Sequence, residues 1–225
     1  MRFDDYRHAI YPEGIDDDQL GFDRLLRLRA YLAGEQISPR AGRDGLEEFS
    51  GRVEPHSPGL ASRLWYGAAS SASARQSATH GFRMLTSSVI AGEISDDFDE
   101  NQLDRVRTFR THHPSGDQAR ISQGLVVIPT DSASGDQVRR YRAYVEQRNG
   151  RVGRPFGPKR MLFAADLLGS SEEIAERLLA NPTFRTVDEV AFALPFTFTA
   201  PDYAQILHDI AGRLAPLLGW TPHSS

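Results

Sequence analysis

Residues 63–88, RLWYGAASSASARQSATHGFRMLTSS, decide how this chain is read. A short apolar run, Arg63 to Gly67, enters a turn of Ala and Ser, as a buried strand does before a helix. Ser71 to His80 then reads as a small-residue helix closed by Gly81, and Phe82 to Thr86 as the next strand. Small side chains let a ligand come close to the backbone. The first turn of a helix offers unpaired N–H groups at the positive end of its dipole. With the hydroxyls of Ser70, Ser71 and Ser73 this makes a seat for a phosphate. The plainer reading is that Ser70 or Ser71 caps the helix and binds nothing. Spacing alone leaves both open.

Outward from this stretch the chain alternates. Gln19 to Ala33 has Leu20, Leu25, Leu28 and Leu32 at helical spacing and stops at Gly34, and Ser38 to Gly59 is a Gly- and Pro-rich loop with room for a short hairpin. Downstream, Asp99 to Arg110 predicts a polar helix with Leu103, Val106 and Phe109 on one side. Ile121 to Ile128 is the clearest strand, rich in β-branched residues and ended by Pro129. Helices follow over Asp136 to Gln147 and Ser171 to Leu179. The second opens on Ser170 or Ser171 with Glu172 and Glu173 in its first turn. Val187 to Leu194 reads as a strand, and Asp202 to Leu218 as a last helix with Ile206, Leu207, Ile210 and Leu214 as its stripe. Four strand–helix alternations predict an α/β fold with a parallel sheet, in one domain over residues 1–225.

The order of these parts resembles the bacterial-luciferase-like family of flavin-dependent monooxygenases. The resemblance lies in the strand, the Ala/Ser turn Ala68 to Ser73, the helix Ala74 to His80 and the strand Gly81 to Ser87. It continues in ISQGLVVIPTD (121–131), in LLGSSEEIAERLL (167–179), where Ser-Ser replaces the family's Thr-Pro, and in Val187 to Trp220. Upstream it takes in FDRLLRLRAYLAGE (22–35). No single motif decides; their order over nearly the whole chain does.

The resemblance implies a TIM (β/α)8 barrel, of which these elements match only the C-terminal half, about four βα units. The N-terminal half is absent from the matched parts. It implies FMN, or in some branches F420, as cofactor, with Ser70, Ser71 and Ser73 holding its phosphate and Ser87 near the isoalloxazine ring. Ala69 stands where luciferase itself has an acidic residue. TIM barrels place such sites at the C-terminal ends of their strands. In this reading reduced flavin and oxygen oxidise a small organic substrate, and a flavin reductase is a further partner. The chain is then an enzyme half, a misplaced start or a truncated gene. The alternative is a non-catalytic remnant or split-barrel subunit needing a complementary half. Either way a lone half-barrel is expected to form a homo-oligomer or pair with that half, and to be inactive by itself.

Composition bounds the rest. A net charge of −4 argues against a general nucleic-acid binder. Lys159 is the only lysine, which reflects codon bias and carries no functional reading. The absence of cysteine excludes disulfides, thiolate metal sites and cysteine nucleophiles. Met1 to Ile10 is charged and lacks the apolar core of a secretory signal, and no apolar run reaches the length of a membrane span. The expectation is a cytoplasmic bacterial protein.

Three further groups have a functional and a plain reading. His112-His113 has no third metal ligand in view, so a solvated loop is favoured. Arg151, Arg154, Lys159 and Arg160 lie in a glycine-rich loop, read as solubilising or, in this family, as a mobile lid over the cofactor. Asp96, Asp97, Asp99 and Glu100 suit a helix N-terminus.

Overall fold

The structure, a computed structural model, describes residues 17–39 and 41–220. The reading of Met1 to Ile10 therefore lies outside the described residues. The chain divides into two compact units at Leu64/Trp65.

In the first unit, helix α1 (Asp17–Leu32) is followed by a two-stranded antiparallel hairpin, β1 (Gly42–Asp44) and β2 (Glu47–Phe49). Helical periodicity locates α1, but its buried side differs from the expected stripe. Phe22 is buried, Leu25 and Leu32 are half-buried, and Leu28 is exposed. A short 3-10 turn, Leu60–Arg63, closes the unit.

The second unit is a mixed α/β fold around a parallel sheet. Strand β3 (Trp65–Ala68) runs into helix α2 (Ser71–Thr79), which returns to strand β4 (Arg83–Thr86). Gly81, with φ 68°, takes the left-handed conformation that ends α2. Its N–H donates to Ala78 O and that of Phe82 to Ser77 O. A three-residue strand β5 (Val89–Ala91) precedes helix α3 (Phe98–His112). Strand β6 (Ile121–Pro129) leads to helix α4 (Gly135–Asn149) and the short strands β7 (Met161–Phe163) and β8 (Leu167–Gly169). Helix α5 (Ser171–Ala180), strand β9 (Glu189–Ala193) and helix α6 (Ala200–Asp209) follow.

The sheet runs β3-β4-β6, with β8 and β9 both paired to β6, and all these pairings are parallel. β5 and β7 form a separate antiparallel ribbon. The last helix covers the expected stretch without a break but is not α-helical throughout. After α6 comes a π-helical turn, Ile210–Leu214, and a final turn, α7 (Ala215–Leu217). Pro216 supplies no N–H, and its ring crowds the preceding turn, which the wider turn relieves.

Core packing sorts the helices onto two sides. Tyr66, Met84 and Ile121 meet Ala74, Ala78, Val106 and Phe109 from α2 and α3. Leu125 and Val127 meet Ile174, Ala175 and Leu178 of α5. Val126 and Ile128 point the other way, to Tyr141 and Val145 of α4 and Ile206 of α6. Both faces of the C-terminal half of β6 are thus covered. This differs from the expected half-barrel, whose inner strand faces would all lie bare. That side is covered by α4 together with α6, which the segment after β9 carries across it. On the same side Gly67, Ala191 and Ala193, of the outer strands β3 and β9, remain exposed.

Candidate functional site at the start of helix α2

Ser70, Ser71, Ser73 and Ser87 all lie at the C-terminal ends of the adjacent strands β3 and β4, which pair through Ala68 and Thr86. Ser70 is the N-cap of α2, with extended backbone, and its Oγ accepts the Ser73 N–H at 3.2 Å. Ser73 Oγ accepts the Ser70 N–H at 3.1 Å and donates to Ser70 O at 2.9 Å. The two hydroxyl oxygens are 3.0 Å apart. This is a capping box with serine where an acid more often stands, and it spends both side chains on the helix itself.

Ser71 does something else. Its N–H and its hydroxyl both donate to Glu93 Oε2, at 2.7 and 2.6 Å. Arg105 Nη2 donates to the same oxygen at 3.0 Å and to Ala91 O at 3.0 Å. Arg105 is 1% exposed, and its Nε and Nη1 have no hydrogen-bond partner. Partial burial works to raise the Glu93 pKa, but the hydrogen bonds from Ser71 and Arg105 outweigh it and hold the carboxyl below its usual range. Burial pushes the Arg105 guanidinium the other way, downward, opposed by Glu93. An anion therefore does sit at the start of α2, and it is the chain's own carboxylate. With Glu93 in place, the donors at this helix start are engaged, and the residues do not fit a phosphate group.

The same device recurs at α5. Ser170 caps that helix in a capping box with Glu173, while the Ser171 N–H and hydroxyl both donate to Asp131. Gly169, at φ 155°, precedes it, and a Cβ there would lie 2.5 Å from Glu173 Oε2.

Ser87 serves its own turn, its Oγ accepting the Val89 N–H at 3.1 Å. Beneath it runs a buried polar chain. Gln102 Nε2 donates to Thr86 Oγ1 and Ser87 O, both at 3.2 Å, and Gln123 Nε2 donates to Gln102 Oε1 at 2.6 Å. Asn181 Nδ2 donates to Asp99 Oδ1 at 2.9 Å, where burial raises the Asp99 pKa. Glu93, Arg105, Gln102 and Gln123 had no place in the sequence reading. A signal existed for two of them: Gln102 and Arg105 fall three apart on the stripe of Val106 and Phe109. Glu93 lies 22 residues from Ser71, and no local pattern marks it.

Asp97 caps α3, its carboxylate accepting the Glu100 N–H at 2.8 Å. His112 Nδ1 lies 2.8 Å from Thr108 O, and His113 packs on Phe109 and accepts the Ser115 N–H. Among the described residues no cluster of three or more potential ligands could hold a metal. In the basic loop Arg151 lies over Phe163 and Arg154 over Phe156, and Arg160 pairs with Asp96. The connection after β5 that carries Glu93 continues into one wall of a cavity of about 480 Å³, lined among others by Asp97, Phe163, Leu167, Arg177 and Asn181. Among the described residues no helix is long and apolar enough to cross a membrane.

Neither a protein-family model nor a curated protein matches the chain. Solved structures do. The crystal structure of apo-MsnO8 is similar with a TM-score of 0.58 and 18% identity over 96% of this chain. The monooxygenase RslO1 from Streptomyces bottropensis is similar with a TM-score of 0.60 and 14% identity over 93% of it. The chain spans 65% and 64% of the length of these two proteins. At such identities the likeness is one of fold.

Proposed function

We propose that this chain is part of a monooxygenase-type oxidoreductase of luciferase-like architecture, its sheet forming one arc of a larger (β/α)8 barrel. The observation that carries the reading is the likeness in fold to the monooxygenase RslO1 over 93% of this chain. The open outer strands β3 and β9, with Gly67, Ala191 and Ala193 exposed, support the arc. The cofactor in this reading is a flavin, FMN or F420, and the substrate a small organic molecule. This chain contributes the mouth formed by the strand ends at Ala68 and Thr86. Glu93 would have to leave the start of α2 before Ser71 could meet the cofactor's phosphate. A second reading is a binding subunit without activity of its own, and the carboxylate already filling that position favours it.

One sample tests both. Purified chain is sized by light scattering after size-exclusion chromatography, then titrated with FMN, F420 and riboflavin. An assembly of two or more copies that binds flavin supports the enzyme reading, and one that ignores all three flavins supports the second. A well-folded monomer that binds FMN tightly would overturn the arc.

A further inference from the structure

We propose that the groove between the C-terminal half of α3 and the turns that enter β6 and β9, where Arg107, Arg110 and Arg185 gather, binds a small dicarboxylate. It lies where the strands begin, at the other end of the sheet from the strand ends at Ala68 and Thr86, and the inference does not rest on the flavin reading.

The groove has a volume of about 730 Å³, within the roughly 300–1,000 Å³ of small-molecule sites. One wall is a single face of α3, since Leu103, Val106, Arg107 and Arg110 fall three and four residues apart. The other walls come from the 3-10 turns that precede β6 and β9, Gly116–Gln118 and Phe184–Thr186. Leu103, Val106 and Pro182 make its lining apolar in part, so it can hold a short hydrocarbon chain as well as charge.

The arginines give the ligand its chemistry. Elsewhere in this unit Arg105, Arg140 and Arg148 each meet a carboxylate, of Glu93, Asp202 and Asp166. Among the described residues Arg107, Arg110 and Arg185 form no such pair, and Asp117, the one acid lining the groove, pairs with none of them. Arg110 is also fixed in place. It is half-buried, and its Nη2 donates to Thr186 O, which ties α3 to the turn before β9. A carbonyl takes up a hydrogen bond but leaves the charge uncompensated, and the buried Nε of Arg110 has no partner. A guanidinium presents its N–H groups in a fixed fork that matches the two oxygens of a carboxylate. Three cations and one acid leave a surplus of two positive charges, which two carboxylates on one short chain would balance.

The test is calorimetric titration of the full chain with glutarate at constant ionic strength, beside butyrate and inorganic phosphate. Glutarate should bind saturably and at least about tenfold more tightly than either, the scale of one charge-assisted contact. Arg107 and Arg185 are exposed, so the double variant Arg107→Ala with Arg185→Ala should keep the parent's circular dichroism and bind glutarate at least about tenfold more weakly. Arg110→Lys, which keeps the charge but not the fork, should weaken glutarate as well. Arg139→Ala, an exposed position on α4 outside the groove, should leave the affinity unchanged. No saturable glutarate binding by the parent, or the same affinity in the parent, the double variant and Arg110→Lys, would overturn the proposal. Butyrate or phosphate binding as tightly as glutarate would overturn the dicarboxylate assignment.

Discussion

Ser71 gives both its backbone N–H and its hydroxyl to one oxygen of Glu93, and this pair ties the start of α2 to the connection after β5. The bonds are charge-assisted, so a double-mutant cycle over Ser71→Ala and Glu93→Ala should return a coupling energy of about 1–3 kcal/mol by urea unfolding. A coupling near zero would mean that the Ser71 N–H, the helix dipole and Arg105, and not the Ser71 hydroxyl, hold the carboxylate.

The same contact sets an acid limit. The folded-state pKa of Glu93 is lowered, and so is that of Asp202, where burial is outweighed by hydrogen bonds from Arg140, Thr199 and Gln137. A lowered carboxyl pKa contributes stability that is present above the unfolded value, about 4, and is lost as pH falls through the folded one. Urea midpoints should drop in that acid range, and Glu93→Gln should flatten part of the slope. An unchanged pH profile in Glu93→Gln would assign the acid loss elsewhere.

At the alkaline end the group to watch is Tyr141. Burial, with the nearby charge of Asp202, pushes its pKa up to about 12, and its hydroxyl donates to Gln205 Oε1 at 2.9 Å. A raised pKa gives stability that is complete below the unfolded value of about 10 and is lost as pH rises above it. Ultraviolet titration of tyrosinate should show a late step that is missing in Tyr141→Phe.

Burial separates two apolar truncations. Phe109 is fully buried between α2 and α3, and Phe109→Ala should cost about 3–5 kcal/mol. Leu46, at the tip of the β1–β2 turn, is 95% exposed, and Leu46→Ala should change stability by less than about 0.5 kcal/mol. Chemical denaturation of the two variants checks the contrast.

The open strand β9 should make the chain associate. Ala191 is exposed on one face of β9, which among the described residues pairs with β6 alone, and a lysine on such an edge strand is the usual way proteins blunt it. Ala191→Lys should shift the light-scattering mass toward the monomer, and a mass that does not move would take β9 out of any interface.

How much of this was legible in the sequence varied with the length of the signal. Periodicity found α3 to within two residues, and β6 announced itself through Ile121, Val126, Val127 and Ile128. Serine caps at Ser70 and Ser170 were readable because capping is local. β5, β7 and β8 are three residues each, too short to show a period of two. The partition of helices between two sides was hidden as well. In β6 both parities are apolar, so the alternation does not say which residues meet α5 and which meet α4. The site followed the same rule. Its serines were visible, but Glu93 and Arg105 reach it through tertiary packing, and a buried arginine looks in sequence like any polar helix residue.

β6 pairs with β4 along Ile121–Gln123, with β9 along Ser122–Val126 and with β8 along Val127–Pro129. Its partners come from both sides of it in the chain, the last of them ending at Ala193. During synthesis, then, β6 leaves the ribosome before β8 and β9 do, with one edge provided for by β4 and the other bare. The sheet becomes cooperative only when the final quarter of the chain arrives. The amides at the middle of β6 should then be the last to exchange with solvent in the finished protein.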